Sequence, residues 1–429
     1  MATLSNVQTP PRRSRTPLVA LLGADGISQT GNMLTLVAVP WFVLESTGSA
    51  ALTGITAAAE TVAVATAGLL GGALVDRLGP RRTSIVGDLA SGATVAVIPL
   101  LDQTIGLAFW QLLVLVFLGT LLDIPGWAAR RSLYATVARL GDVGLERANA
   151  SAMMVNRAAG LAGPLLAGVL IAVVGPTTVL WIDAATFLVS AGLVAVGVPA
   201  RITPPAVPSD AVGGVSGSRA GRYLGEVAEG FRFIRNDRLV ATLVLSFALG
   251  SLLAEPLWSV VFPVYANEVF GSAVDLGVIF AALAVGSLLS NAGFFVWGPR
   301  LPRRAAIIVG FTVRVMTFWV LVAMPPLGII FAAIVVNAVF FEPTNPIWMT
   351  IVHERVPEAM RGRVLGAYLS LSYATRSVGV LVYGLLLERI GLRETLIVMA
   401  SVNAVVPLML WLAPALRTMP APGASAVPR

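Results

Sequence analysis

The sequence predicts an all-α membrane protein: twelve transmembrane helices arranged as two pseudo-symmetric six-helix halves. Three observations predict it. First, 57% of the 429 residues are hydrophobic and only 12% are charged. A soluble domain carries roughly 25% charged residues, so half that density cannot cover a water-facing surface, and most of this surface must face lipid. Second, apolar runs recur at about the 20 residues a helix needs to cross roughly 30 Å of hydrocarbon. Third, the chain repeats itself. "PWFVLESTGSA" begins at Pro40 and "PVYANEVFGSA" at Pro263, an offset of 223 residues (263 − 40), with Pro, Glu and Gly-Ser-Ala in register.

The apolar runs place spans near 17–43, 50–74, 83–101, 105–127, 147–173, 177–198, 239–266, 274–298, 305–323, 327–351, 362–387 and 394–415. They are read as helices, because only helices and closed barrels satisfy backbone polar groups in lipid, and these runs are too long for barrel strands. A polar tail, 1–16, precedes span one and shows no cleaved signal peptide. Arginine then marks alternate connections. Arg77, Arg81 and Arg82 separate spans two and three; Arg130, Arg131, Arg139 and Arg147 separate four and five. A long polar linker, 199–236, separates a six-span bundle at 17–198 from another at 237–415; its first half is Pro/Gly/Ser-rich and its second half reads as a surface amphipathic helix. Arg300, Arg303 and Arg304 separate eight and nine; Arg355, Arg361 and Arg363 separate ten and eleven; Arg417 lies in the tail 416–429. The opposite loops hold only Arg389 and Arg393. Positive loops stay cytoplasmic, so both termini are expected inside the plasma membrane.

The repeat extends beyond its first eleven residues. "DIPGWAARRSLYATV" from Asp123 is answered by "EPTNPIWMTIVHERV" from Glu342, at an offset of 219 (342 − 123). The same offset puts Arg157 on Arg376 and Gly160 on Gly379. Asn32 and Glu255 correspond at 223 (255 − 32), and "PRR" at Pro80 recurs at Pro302. Six spans in each half give the two copies parallel orientation about an axis along the membrane normal.

"GGALVDRLGPRR", Gly71 to Arg82, resembles the loop signature of the major facilitator superfamily between its second and third helices, carried here by Gly72, Asp76, Arg77, Gly79, Arg81 and Arg82. The second copy, "GPRLPRR", lacks the acid, with Gly298 in its place. "NRAAGLAGPLLAG", "DAATFLVSAGLV", "EGFRFIRNDRL" and "ERVPEAMRGRV" resemble the branch that holds the enterobactin exporter and macrolide-efflux proteins. The resemblance implies a transporter fold and export. It also implies a charge-paired cytoplasmic gate: Asp76 with Arg81 or a neighbouring helix, and Arg77 with Asp123, placed near the cytoplasmic end of span four. The other reading is a solvated basic loop that only fixes topology. In span five, Gly160, Gly163, Pro164 and Gly168 resemble the glycine-proline pattern of proton-exchanging exporters, although Ala167 stands at one of its glycines; close packing of small residues explains the same pattern.

Ionisable residues inside spans are costly and are functional candidates by default. The deep ones are Asp25, Glu60, Arg157, Glu255, Arg314, Glu342 and Arg376; Asp88, Asp123 and Asp183 fall nearer span ends. Glu60 sits mid-span with no base near it in sequence, which suits a proton carrier. Arg157 and Arg376, being repeat-related, are expected to face one cavity, where they either bind an anionic substrate or hold Asp25, Glu255 and Glu342. Asn32 and Glu255 form a polar pair at one depth. Arg314 is expected to be structural, and His353 to sit exposed at a helix end.

One His and no Cys leave no His/Cys metal cluster, and without Lys there is no phosphate-binding Gly-Lys-Ser/Thr loop. No cofactor and no enzymatic activity are expected. The charge of +7 fits the cationic face of a membrane protein and requires no nucleic acid. The expected partners are the lipid bilayer, a small amphipathic substrate and protons, and a monomer is expected. The expected function is proton-driven export by alternating access. An uptake carrier or uniporter and a non-transporting sensor on the same scaffold are the competing readings.

Overall fold

The computed structural model describes residues 14–200 and 219–419. The tail 1–13, the first part of the linker (201–218) and the tail from 420 lie outside the described residues. Six long helices come first: α1 (Thr16–Thr47), α2 (Ala50–Leu78), α3 (Pro80–Thr104), α4 (Phe109–Leu140), α5 (Leu145–Val174) and α6 (Pro176–Gly197). The shorter α7 (Arg219–Asn236) follows, then α8 (Arg238–Phe270), α9 (Ala273–Trp297), α10 (Arg303–Val322), α11 (Leu327–Arg355), α12 (Glu358–Ile390) and α13 (Leu392–Leu412). All but α7 are long and apolar enough to cross a bilayer, which makes twelve candidate spans among the described residues.

Local chemistry sets the joints. Gly175 and Gly391, with φ of 80° and 84°, end α5 and α12 and start α6 and α13; glycine enters this region without the Cβ penalty. Their spacing of 216 residues (391 − 175) makes them the same joint in each half. Ser49 caps α2 by accepting from the Leu52 N–H. Two helices loosen internally at proline. α8 widens into π turns at Leu257–Val261, just after Pro256, and at Ala266–Phe270, while α11 breaks at Pro343 between Phe341 and Thr344. Proline removes a backbone donor and crowds the preceding turn. Both prolines follow directly on acids, Glu255 and Glu342, that line the cavity described below.

The halves α1–α6 and α8–α13 meet chiefly where α2 lies on α12 and α5 on α9. The backbones approach closely there. A Cβ on Gly54 would lie 2.6 Å from the Val380 carbonyl oxygen, and one on Gly168 would lie 2.5 Å from that of Ala273. Small residues permit such contacts between membrane helices. Glu388 of α12 accepts from the Ser49 hydroxyl at 2.9 Å and the Ala51 N–H at 3.1 Å, which ties it to the start of α2. A single apolar core joins both halves at this end, including Val39, Ala57 and Ile171 with Val261, Ala273 and Val380. At the Arg-rich end each half has its own core, around Leu133 and Val194 in one and Ile351 and Val364 in the other. The halves are therefore joined at one end and packed separately at the other. The surface helix expected in the linker is α7: it buries Val227, Phe233 and Ile234 against the second half, and Glu229 pairs with Arg363 of α12.

Candidate transport cavity

Three adjoining lobes occupy the space within and between the halves. The first, of about 270 Å³, lies among α1, α2, α3, α4 and α6 and is lined by Glu60, Asp123 and Asp183 with Asn32 and Thr35. Asn32, Thr35, Leu36 and Val39 present one face of α1 to it, with the helical spacing of three, four and seven. Asn32 Nδ2 donates to Asp123 Oδ2 at 3.1 Å, and the Thr35 hydroxyl donates to Asp183 Oδ2. Asp123 Oδ1 is sealed from solvent and has no hydrogen-bond partner. Among the described residues none of the three carboxylates forms an ion pair, and no group of His, Asp and Glu is placed to hold a metal ion.

The second lobe, of about 380 Å³, shares Leu36 with the first and is lined by Arg157, Gly160 and Pro164 of α5 and by Glu255, Trp258 and Phe280. Trp258 stacks at a tilt on Phe280 and Phe262, with ring centroids 5.3 Å and 4.8 Å away. Arg376 lies 3.5 Å from Glu255. The third lobe, of about 200 Å³, shares Trp258 and Leu283 with the second and holds Arg314, Asn337 and Glu342. Arg314 donates to the Gly250 carbonyl at 3.1 Å and lies 4.6 Å above the Phe341 ring. It therefore has the structural ties expected of it, and it is also part of the cavity wall.

Three sequence expectations need correction, and they meet at one residue. Arg130 is not in a loop. It is fully buried within the first half and donates to both Asp88 oxygens at 2.6 Å, to Ser190 at 2.9 Å and to Ser28 at 3.0 Å, with Asp25 3.8 Å away. Neutralised in this way, it lets α4 run on to Leu140, where the drop in hydropathy had suggested an end near 127. Asp123 is consequently not near the end of its helix. Seventeen residues (140 − 123) at 1.5 Å each put it about 25 Å from Leu140, so the expected Arg77–Asp123 contact does not form. Asp25 is likewise not on the cavity wall. It is fully buried, accepting from Tyr134 at 3.2 Å and Asn156 at 3.0 Å, and only Asn156 reaches the second lobe.

The loop signature is placed as follows. Gly79 takes a φ of 77° and starts α3. Arg81 donates to the carbonyls of Val198 and Ala195 at 2.7 Å and 2.6 Å, closing the end of α6. Arg77 and Arg82 are exposed; Gly72 falls within α2, and its surroundings and the Asp76 side chain lie outside what is described. In α5, Gly160 and Pro164 line the second lobe, Gly163 packs against Met33 and Gly168 against α9. His353 is exposed at the end of α11. Sequence reasoning missed Arg130 and underrated Asp183. The available signal was that buried acids need partners, and Asp88 had none assigned.

The sequence model of the Major Facilitator Superfamily matches residues 21–379 and, in a second match, 257–427. The chain belongs to the Major Facilitator Superfamily. Twelve spans in two six-helix halves are the fold of these transporters, which are not enzymes. Among curated relatives, the multidrug efflux pump Tap of Mycobacterium tuberculosis (strain H37Rv) is 32% identical over 409 residues, 95% of each chain. Its namesake in Mycolicibacterium fortuitum is 31% identical over 90% of this chain and 93% of its own. Among solved structures, the nucleoside transporter NupG superposes with a TM-score of 0.71 at 10% identity, covering 94% of this chain and all of that one. A bacterial homologue of the iron transporter ferroportin, in an inward-facing state, gives 0.69 at 14% identity over 92% and 98%. For this chain, those two likenesses support the facilitator fold alone.

Proposed function

We propose that this facilitator exports small amphipathic compounds, drugs among them, by alternating access driven by inward proton movement. Export of drug-like compounds rests on the likeness to Tap efflux pumps along 95% of both chains. Proton coupling rests on the first lobe, whose three carboxylates lack a base. On the positive-inside rule the Arg-rich end, where the two cores pack separately, is cytoplasmic, with both termini inside, and the cavity opens toward that end. The bundles 17–198 and 237–415 rock about the joined outer end. The signature from Gly72 to Arg82 acts at the inner end, with Arg81 fixing α3 to α6, and the α5 glycines allow α9 to slide past.

Glu60 is the first candidate to carry the proton, with Asp123 and Asp183 beside it. One proton moving through 100 mV releases about 2.3 kcal/mol, enough for roughly a fifty-fold gradient at about 1.4 kcal/mol per tenfold. The test is dye accumulation in inside-out vesicles with and without an imposed proton gradient. Accumulation that depends on the gradient is expected, and Glu60→Gln should abolish it while leaving exchange down the dye's own gradient. Accumulation unaffected by the gradient would assign the protein to uniport.

A further inference from the structure

The cavity is electrically lopsided. The first lobe offers three carboxylates, Glu60, Asp123 and Asp183, with no ion-paired base. The base within electrostatic reach of Asp123, Arg130, is already committed to Asp88 and Asp25. Asp123 Oδ1 is sealed and unpartnered, which leaves an acceptor waiting for a donor. The other two lobes are lined by two guanidiniums, Arg157 and Arg314, and two acids, Glu255 and Glu342, with a third guanidinium, Arg376, beside Glu255. Arg376 takes Glu255, while Glu342 lies within electrostatic reach of both Arg314 and Arg157. Arg157 itself makes no hydrogen bond and no ion pair among the described residues, and it stands exposed in the second lobe.

The repeat sharpens the contrast. Asp123 and Glu342 occupy the same position in their halves, yet the guanidiniums near Glu342 are in no ion pair among the described residues, while the one within reach of Asp123, Arg130, is taken by Asp88, and the hydrogen bond to Asp123 comes from Asn32. Arg157 and Arg376 are likewise equivalent, yet only Arg376 is paired. Leu36 borders both the acid lobe and the Arg157 lobe, so a ligand passing over it spans roughly one helix width, on the order of 10 Å. Trp258 and Phe280, tilted against each other, supply an aromatic wall on the Arg157 side.

We infer that the transported compound is an amphipathic zwitterion, its cationic nitrogen held by Asp123 with Asp183, its anionic group by Arg157, and its aromatic body between Leu36 and Trp258. The inference rests on reading this cavity as the site of the exported compound. Each unpaired group in the cavity then meets an opposite charge, and neither charge of the ligand is carried into the membrane uncompensated, a state that costs several kcal/mol.

Three dyes with one skeleton test it: rhodamine B, a zwitterion; its ethyl ester, a cation; and fluorescein, an anion. Binding to the purified protein in nanodiscs is read by fluorescence anisotropy. Rhodamine B should bind about tenfold or more tighter than either relative, one charge contact being worth about 1.4 kcal/mol per tenfold. Arg157→Gln should erase the preference for rhodamine B over its ester, and Arg157→Lys should restore part of it. Asp123→Asn should weaken rhodamine B and the ester alike and leave fluorescein unchanged; Asp183→Asn serves as the second variant if Asp123→Asn fails to fold. An ester that binds as tightly as rhodamine B, with Arg157→Gln silent, overturns the zwitterion in favour of a cation site. Equal binding of fluorescein, or no saturable binding by any of the three, overturns the proposal. The measurement uses no gradient, so its failure leaves the export reading standing, and failure of proton coupling in vesicles leaves this one standing.

Discussion

Replacing Arg130 with Gln removes the cation from the driest charged cluster in the described structure. Arg130, Asp88 and Asp25 are all fully buried. Arg130 supplies both Asp88 oxygens with donors at 2.6 Å, so its loss leaves Asp88 with Ser190 as its remaining donor. Breaking a buried pair by removing one partner costs about 3–5 kcal/mol, because the charge left behind is uncompensated. Asp25 suffers less, since Tyr134 and Asn156 still donate to it. The expected outcome for Arg130→Gln is a loss of about 3–5 kcal/mol in detergent-solubilised protein, read by SDS titration and by fluorescence-detected size-exclusion after heating. Adding Asp88→Asn removes the stranded charge and should recover part of the loss, with a coupling of up to about 3 kcal/mol in a double-mutant cycle. An Arg130→Gln protein as stable as the parent, with no coupling to Asp88→Asn, refutes the reasoning: water would then reach the cluster, and α4 would owe its length to something else.

Two further changes act on the joined end. Glu388→Gln weakens the tie to Ser49 and Ala51; because the carboxylate is exposed, the shift should be about 1 kcal/mol or less, seen as faster labelling of a cysteine placed at Leu36 from the α1–α2 end in a chain with no native Cys. Gly54→Val sets a side chain where a Cβ alone would lie 2.6 Å from the Val380 carbonyl oxygen. Overpacking of this kind costs about 1–3 kcal/mol, so the same cysteine should label faster still, and an unchanged rate would mean the halves do not part along α2 and α12.

The fold was legible because its causes are local and periodic. Low charge, run length and a repeated Pro-Glu-Gly-Ser-Ala pattern each act over a few tens of residues, and together they fix twelve spans in two halves. The placement of Asn32, Glu60, Arg157, Glu255, Glu342 and Arg376 around the cavity lobes follows from depth and repeat register. What escaped depends on partners far apart in sequence. Arg130 reads as a loop cation beside Arg131, since nothing nearby reveals that Asp88, 42 positions earlier, and Asp25, on α1, will neutralise it. Misjudging that one side chain shortened span four and moved Asp123 from the cavity to the gate. Asp183 was underrated for a related reason: of its two donors, Thr186 is local, but Thr35, which ties it to the cavity face of α1, lies 148 positions away.

The two halves show how a symmetric frame yields a directional cavity. Equivalent slots hold different residues, or the same residue with a different partner. Asn32 and Glu255 share one slot, and the first is a neutral donor to Asp123 while the second is an acid held by Arg376. That difference leaves Arg157, which has no counterpart of Glu255 in the slot at Asn32, without an ion pair among the described residues, Glu342 being only within electrostatic reach. It also leaves Asp123 with an amide where a guanidinium would have neutralised it. A chain built for a neutral substrate has no reason to keep these groups unpaired, because each costs desolvation with no return. Placing an acid at Asn32 tests this directly: Asn32→Asp adds a fourth carboxylate to the first lobe and removes the donor to Asp123. If the lobe serves to hold positive charge, the change should tighten binding of the rhodamine B ester while leaving fluorescein unaffected. If the lobe is only packing, it should weaken folding and alter neither affinity.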